Sequence, residues 1–145
     1  MKIADPWKQI ITEQFLKTTI RTPSRFSLPP SSQRFLLEQM CRAFPLNKSI
    51  QIRPLRLAGL RAEEIKPETE ATQLILHIHG GAFFLGSMNT HRAFVSDLAA
   101  STQMQVIHLD YPLSPEHPYP EAIDALFDVY LLLLEQGIQA KDIIL

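Results

Sequence analysis

Apolar residues in the first fifty positions recur with the spacing of an α-helix. A first helix is predicted to begin at Asp5-Pro6, because aspartate suits the N-cap and proline the first helical position. Prolines at positions 23, 29 and 30 interrupt the pattern. A second helix is predicted from about Ser32, and we expect Met40 and Phe44 to be core residues on it. The apolar stripe of this second helix comprises Leu36, Leu37, Met40, Cys41 and Phe44.

The period changes to that of β-strands after Ser49. Apolar positions alternate over residues 50–57, with a phase slip at Arg53-Pro54 that indicates either a bulge or a sheet edge. Gly59 is expected to turn the chain into a second strand over residues 60–66. The pattern therefore predicts an antiparallel hairpin at the edge of a sheet.

A more deeply buried strand is predicted over residues 74–78, which are apolar at all but one position. Such a run is typical of a parallel strand covered on both faces. A helix capped by Asn89 or Thr90 follows and continues to about Ser101. Residues 105–109 then form another short apolar strand.

The last predicted helix is opened by Pro120 and ends at Gly137, a glycine typical of helix C-termini. A further strand starts at Asp142. The order of strands and helices predicts an α/β fold with a mainly parallel sheet and right-handed crossovers. The apolar side of the last helix is predicted to carry Ile123, Leu126, Phe127, Tyr130, Leu133 and Leu134.

Composition and charge exclude several classes of function. Of the 145 residues, 46% are hydrophobic and 20% charged, as in a globular domain, and 14 basic residues balance 15 acidic ones. This balance gives no basic footprint for nucleic acid or an anionic membrane. The N-terminus lacks the apolar segment of a secretory signal, and the most apolar run is too short to span a membrane, so we expect a cytoplasmic protein. Cys41 is the only cysteine, which excludes an intrachain disulfide.

The chemistry begins where the central strand ends. His79-Gly80-Gly81-Ala82 follows that strand directly. Two consecutive glycines let the backbone turn sharply and direct N–H groups into a cavity. Such a loop can form part of an oxyanion hole, the set of donors that stabilises the tetrahedral intermediate of acyl transfer. The alternative is an ordinary glycine turn after a strand.

Two stretches together resemble the hormone-sensitive-lipase group of α/β hydrolases, from about Leu57 to the last residue. That group shows H-G-G-[GA]-[FWY], then G-S and His-Arg, then D-Y-R-L-A-P-E-H-P-[FY]-P. The corresponding residues here are His79 to Phe83, Gly86-Ser87, His91-Arg92 and Asp110 to Pro120. The resemblance implies the N-terminal half of an α/β-hydrolase fold, with N-terminal cap helices over residues 1–48 and a partial core over residues 49–145. Periodicity alone equally allows those helices to pack on the sheet.

The resemblance also implies roles for individual residues. The oxyanion hole would be formed by the backbone of Gly80, Gly81 and Ala82. His79, Asp110, Tyr111 and Glu116 would hold this loop in position, although a solvated turn is an alternative for the last three. Phe83 and Phe84 would line an acyl pocket, unless one of them serves only the core. Pro112 stands where the family has arginine, so any ion pair made by that arginine is expected to be missing.

The catalytic triad is expected after residue 145. An α/β hydrolase carries its serine in a G-x-S-x-G turn, followed later by an acid and a histidine. None of the five glycines of this chain brackets a serine in that way. We therefore expect an N-terminal part of a serine carboxylic-ester hydrolase, truncated before the nucleophile elbow and inactive alone. The complete enzyme would act on a small-molecule ester without a cofactor, and a complementing C-terminal half is conceivable.

Three other interpretations remain open from the sequence. His77, His79, His91 and His108 could form a metal site, since the first two lie on the same side of a strand. The chain could also be part of a non-catalytic binding protein, because the same family includes a plant hormone receptor that has lost catalysis. Finally, it could be a non-functional remnant of a disrupted gene.

Overall fold

The computed structural model describes residues 28–68 and 73–145. The helix predicted at Asp5-Pro6 lies outside the described residues. The described helices are α1 (Pro30–Cys41), α2 (Met88–Thr102) and α3 (Glu121–Glu135), with a 3₁₀ turn at Ala140–Asp142. The described strands are β1 (Ile50–Leu57), β2 (Leu60–Pro67), β3 (Leu74–His77), β4 (Gln105–Asp110) and β5 (Ile143–Ile144).

These strands form one mixed sheet in the order β1-β2-β4-β3-β5. Strand β3 pairs in parallel with β4 on one side and with β5 on the other. Strand β2 pairs antiparallel with both β1 and β4. The predicted α/β fold is confirmed, and β3 lies inside the parallel part of the sheet, as its apolar sequence indicated.

The first two strands form the predicted hairpin at the sheet edge. Ala58 and Gly59 connect them with φ angles of 46° and 84°, which suits a two-residue turn of the twist that hairpins require. The register runs without interruption from the Ile50–Pro67 pair to the Leu57–Leu60 pair, so the bulge considered at Arg53-Pro54 is absent. Pro54 is accommodated because β1 is an edge strand, where a missing N–H costs no ladder bond.

Buried side chains cover both faces of the sheet. Alternation along β3 sends Leu74 and Leu76 into one core and Ile75 into the other. The first core is completed by helix α3, through Leu126 and Val129 among others. The second core is completed by helix α2. Its buried members are Ile65, Ile75, Val95, Ala99 and Val106.

Two helices expose residues that the periodicity assigned to the core. Helix α1 has no buried residue: Leu36 is 45% exposed, and Met40, predicted in the core, is half-buried. Phe44, predicted on the same helix, lies beyond its end at Cys41 and is 50% exposed. The reason is that α1 is attached through polar bonds: the carboxylate of Glu38 accepts from Ser87 Oγ at 2.7 Å. On α3, Ile123 and Phe127 are exposed, because the buried side is rotated toward Ala122 and Val129.

Helix α2 begins earlier than the sequence indicated. Its N-cap is Ser87, whose side chain accepts from the amide of Thr90 while the Thr90 side chain accepts from the Ser87 amide. This is a capping box, with threonine at the third helical position in place of the usual glutamate or glutamine. The predicted caps Asn89 and Thr90 are therefore wrong. No helix in the described ranges is both long and apolar enough to cross a membrane.

Candidate functional site

The glycine loop leaves the carboxyl end of β3 and closes into a tight turn. The carbonyl of Gly81 accepts from the amides of Phe84 at 3.0 Å and Leu85 at 2.8 Å. Gly81 has a φ of 132°, and a Cβ there would lie 2.0 Å from the Leu85 carbonyl oxygen. Only glycine fits this position without moving the backbone. Ala82 and Phe83 also have positive φ angles, 54° and 57°, which disfavour side-chain-bearing residues by roughly 1–2 kcal/mol each.

The residues of this turn lie at the surface. Gly80, Gly81 and Ala82 are all exposed to solvent. Within residues 28–68 and 73–145, the N–H groups of these three residues donate to no protein acceptor. Backbone donors fixed in place and left free are what a developing oxyanion requires. The structure therefore places the three predicted oxyanion residues on one exposed turn.

His79 lies directly beneath this turn. It is 2% exposed, and its ring is stacked on Tyr111 with centroids 4.3 Å apart. The other neighbour in the stack is His91, with centroids 5.2 Å apart. Gly86 completes the enclosure, since a Cβ on it would come within 2.8 Å of His79 Nδ1. The imidazole is thus held by rings and backbone on several sides.

The protonation of His79 follows from its partners. Its Nδ1 lies 3.0 Å from the carbonyl oxygen of Gly80, so Nδ1 carries the proton and donates. Burial lowers the pKa of His79, against the opposing effect of that hydrogen bond, and keeps the ring neutral. Nε2 is buried without a hydrogen-bond partner in the described part of the chain. A ring so enclosed is suited to holding a loop.

Tyr111 joins the end of β4 to the same loop. Its hydroxyl donates to the carbonyl of His79 at 2.6 Å in a buried position. Its ring also meets the edge of Phe83 at a centroid distance of 5.7 Å. Three residues further on, the Ser114 amide donates to the Phe83 carbonyl at 2.8 Å. The segment after β4 is therefore bonded to the glycine loop at two points.

The two predicted acidic positioning residues have arginine partners from elsewhere in the chain. Asp110 lies 3.6 Å from Arg61 and accepts from the Met88 amide at 3.4 Å. Glu116 accepts from Arg34 at 2.9 Å. A backbone hydrogen bond at Glu116 and then the Arg34 guanidinium lower the pKa of this carboxyl. Although Pro112 removes the family's arginine, neither carboxylate lacks a cation.

The two adjacent aromatics of the loop have different surroundings. Phe83 is 42% exposed on the outer side of the turn. Phe84 is half-buried, and the guanidinium of Arg34 lies 5.8 Å from the centre of its ring. Phe83 thus remains available to contact a ligand, whereas Phe84 packs against the protein.

The four histidines considered as a metal site do lie together. His77 and His108 meet edge to face with centroids 4.8 Å apart, next to His79 and His91. Burial, followed by the neighbouring imidazoles, lowers the pKa of His77 to about 4 and that of His108 to about 2. Among the described residues, no group of three or more histidine, cysteine or acidic side chains is arranged to hold a metal ion. The cluster is a set of neutral, packed rings.

Two arginines of this region carry no sequence signal for their role. Arg92 was noted only as part of a motif, yet it donates through Nε to the buried carboxylate of Glu63 at 2.9 Å and through Nη2 to the other oxygen. Arg34 on α1 belongs to no motif. It contacts residues 50 to 82 positions away in the sequence, and periodicity does not predict contacts at that separation.

Comparison with known proteins agrees with this geometry. Residues 75–145 match a family model described as an alpha/beta hydrolase fold. The whole chain is 66% identical to an esterase of Acinetobacter venetianus and spans 48% of that protein. An acetyl-hydrolase of Streptomyces hygroscopicus is 37% identical over 76 residues, 52% of this chain and 25% of the relative.

Solved structures give the same result. An esterase from the bacterial hormone-sensitive lipase family superposes with a TM-score of 0.76 at 33% identity, covering 90% of this chain and 44% of that one. An esterase/lipase from an uncultured bacterium gives 0.82 at 31% identity, covering 92% and 45%. The chain therefore has an α/β-hydrolase fold. Its resemblance to the hormone-sensitive-lipase group is confirmed, and it spans about half the length of these relatives.

Proposed function

We propose that this chain supplies the oxyanion loop of a serine carboxylic-ester hydrolase that acts on short- to medium-chain acyl esters. The observation that carries the proposal is the exposed turn at Gly80, Gly81 and Ala82. The amides of this turn have no acceptor in the described chain, whereas the residues beneath it are fixed by hydrogen bonds and ring stacking. The names of the relatives, an esterase and an acetyl-hydrolase, support the same class of substrate.

In this reaction a serine hydroxyl attacks the ester carbonyl, whose oxygen becomes negatively charged. The N–H groups of Gly81 and Ala82 would donate to that oxygen, together with one amide supplied by the residue after the serine. Removing one such donor lowers the rate by roughly 10²–10³ where this has been tested. Alanine at position 82 retains the donor, because the donor is the backbone.

The other residues would act by fixing this loop. His79 would act as a positioning residue and not as the general base, because it is buried and its Nδ1 proton is already bonded to Gly80. Tyr111 would hold the His79 peptide, and Phe83 would contact the acyl group. The nucleophile, acid and base would come from outside residues 1–145, so we expect no turnover by this chain alone.

A chimeric esterase tests the proposal. The segment of the Acinetobacter venetianus esterase that matches this chain would be replaced by residues 1–145, and hydrolysis of p-nitrophenyl acetate and butyrate would be measured. We expect activity within about tenfold of the parent esterase, and none from the 145-residue chain alone. Mixing the chain with the remaining segment of that esterase would test complementation.

A folded chimera that does not hydrolyse either ester would refute the proposal. If that chimera still bound a non-hydrolysable ester analogue, the non-catalytic binding role would be favoured. Ester hydrolysis by the isolated chain would also contradict our placement of the nucleophile.

A further inference from the structure

Arg34 lies at the junction of three segments that are distant in sequence. From helix α1, its Nε donates to the carbonyl oxygen of Phe84 at 2.8 Å, and its Nη1 donates to Glu116 at 2.9 Å. Its Nη2 donates to the carbonyl oxygen of Ser114. One side chain therefore bonds the glycine loop and the segment after β4 at the same time.

The contact at Phe84 reaches the oxyanion residues through a single residue. The amide of Phe84 donates to the Gly81 carbonyl at 3.0 Å, which closes the turn. Arg34 fixes the other side of the same residue by bonding its carbonyl. A rotation of the Gly81–Ala82 peptide would have to disturb one of these two bonds.

The glycine loop and the segment after β4 are already joined by the Tyr111 and Ser114 hydrogen bonds, and Arg34 joins them again. The Ser114 amide donates to the Phe83 carbonyl, while the Ser114 carbonyl accepts from Arg34. Both backbone polar groups of Ser114 thus contribute to the junction. A planar guanidinium with several donors in fixed directions can satisfy three acceptors in this way, whereas a lysine ammonium cannot hold the same geometry.

The surroundings of Arg34 indicate a specific structural role and not that of an exposed surface ion pair. The Arg34 side chain is only 21% exposed, and its guanidinium lies over the Phe84 ring. Helix α1 itself has no buried residue, so polar contacts of this kind hold it in place. Two of the acceptors are backbone carbonyls, which are costly to leave unsatisfied when partly buried.

We propose that Arg34 is a positioning residue for ester hydrolysis, which sets the orientation of the Gly81 and Ala82 amides from helix α1. The inference rests on the proposed function. It means that the oxyanion donors reach their working orientation only when α1 is docked.

The test compares Arg34→Ala and Arg34→Lys with Arg42→Ala in the chimeric esterase. Arg42 is a matched control, because it follows α1 directly and its side chain bonds only Gln39, at 3.5 Å, among the described residues. We expect Arg34→Ala to lower kcat about tenfold to a hundredfold with KM changed less than about twofold, as a fraction of the loss of one oxyanion donor. Arg34→Lys should retain more of kcat than Arg34→Ala, and Arg42→Ala should leave kcat unchanged.

Amide hydrogen exchange gives a second readout that does not need catalysis. We expect exchange at residues 81–85 to accelerate in Arg34→Ala and to stay unchanged in Arg42→Ala. If Arg34→Ala lowers the unfolding midpoint but leaves kcat and loop exchange unchanged, Arg34 only anchors helix α1. That result would overturn the inference. If Arg34→Ala does not fold, the same criteria apply to Arg34→Lys.

The two proposals fail in different ways. An unaltered chimera that is folded but inactive refutes the proposed function, whatever Arg34 does to loop exchange. An active chimera whose Arg34 variants match Arg42→Ala in kcat and exchange refutes the positioning role and leaves the proposed function standing.

Discussion

Gly81 and Gly80 are adjacent, but the structure predicts opposite responses to a methyl group. At Gly81 a Cβ would lie 2.0 Å from the Leu85 carbonyl oxygen, where real Cβ atoms stay beyond 3.0 Å. The backbone would have to move by about 1 Å, the difference between these two distances. At Gly80 no atom lies within 4 Å of the added methyl, and φ is not positive.

The cost at Gly81 has two sources. A side-chain-bearing residue in this region of φ costs about 1–3 kcal/mol. Moving the Leu85 peptide also weakens its 2.8 Å hydrogen bond to the Gly81 carbonyl, worth about 0.5–1.5 kcal/mol. The sum is about 1.5–4.5 kcal/mol for Gly81→Ala. Gly80→Ala should change stability by less than about 1 kcal/mol, because its backbone conformation suits alanine.

Both variants would be made in the chimeric esterase and compared by urea unfolding and by kcat. We expect Gly81→Ala to lower the free energy of unfolding and to reduce kcat by about 10²-fold or more, since the misplaced amides are oxyanion donors. Gly80→Ala should keep kcat within about threefold. Equal behaviour of the two variants in both assays would refute the turn geometry on which the oxyanion assignment depends.

Three other contacts give predictions of similar kind, each measured by urea unfolding of the chimeric esterase. Tyr111→Phe should lower the free energy of unfolding by about 1–3 kcal/mol, because the buried carbonyl of His79 loses the Tyr111 hydroxyl as a donor, and an unchanged unfolding midpoint would contradict this. Arg92→Ala should lower the free energy of unfolding more than Glu63→Gln, because it leaves the buried Glu63 carboxylate without its cation. The reverse order would contradict this ion pair. Acid should destabilise the fold through His108: its folded-state pKa, lowered by burial, lies below the unfolded value of 6.5, so the unfolded state binds protons first as pH falls. The contribution of His108 to this loss of unfolding free energy is up to about 1.4 kcal/mol per pH unit below 6.5 and should be absent in His108→Phe, whereas the contribution of His77, whose pKa burial also lowers, should remain.

The sheet could be predicted from the sequence because its signals are local. Alternation over β1 and β2, the apolar run of β3 and the glycine loop after it all arise from residues that are neighbours in the chain. The turn at Gly59 was predicted for the same reason. What alternation could not show was whether the phase slip at Pro54 meant a bulge or an edge, since that depends on which strands pair.

Helix faces were predicted less well because their partners are distant. Leu36 and Phe44 have helical spacing, but α1 is attached by Glu38 and Arg34, and these two apolar residues are exposed. Spacing indicates which residues share a side of a helix and not whether anything covers that side. The sequence does not single out Ser87 as the cap, because threonine at position 90 replaces the glutamate or glutamine that usually marks a capping box.

In the candidate site, the residues below the glycine loop are held by contacts, whereas the backbone amides of the loop are unpaired in the described chain. Beneath the loop, His79 is enclosed by Tyr111, His91 and Gly86, and its peptide carbonyl is bonded. Above it, the amides of Gly80 to Ala82 have no acceptor in the described chain. Donors that are fixed before a ligand arrives need no reorganisation when charge develops on it. An ordinary glycine turn does not require such fixed residues below it. The combination of fixed residues around His79 and unpaired amides at Gly80 to Ala82 is therefore the physical argument for an oxyanion loop.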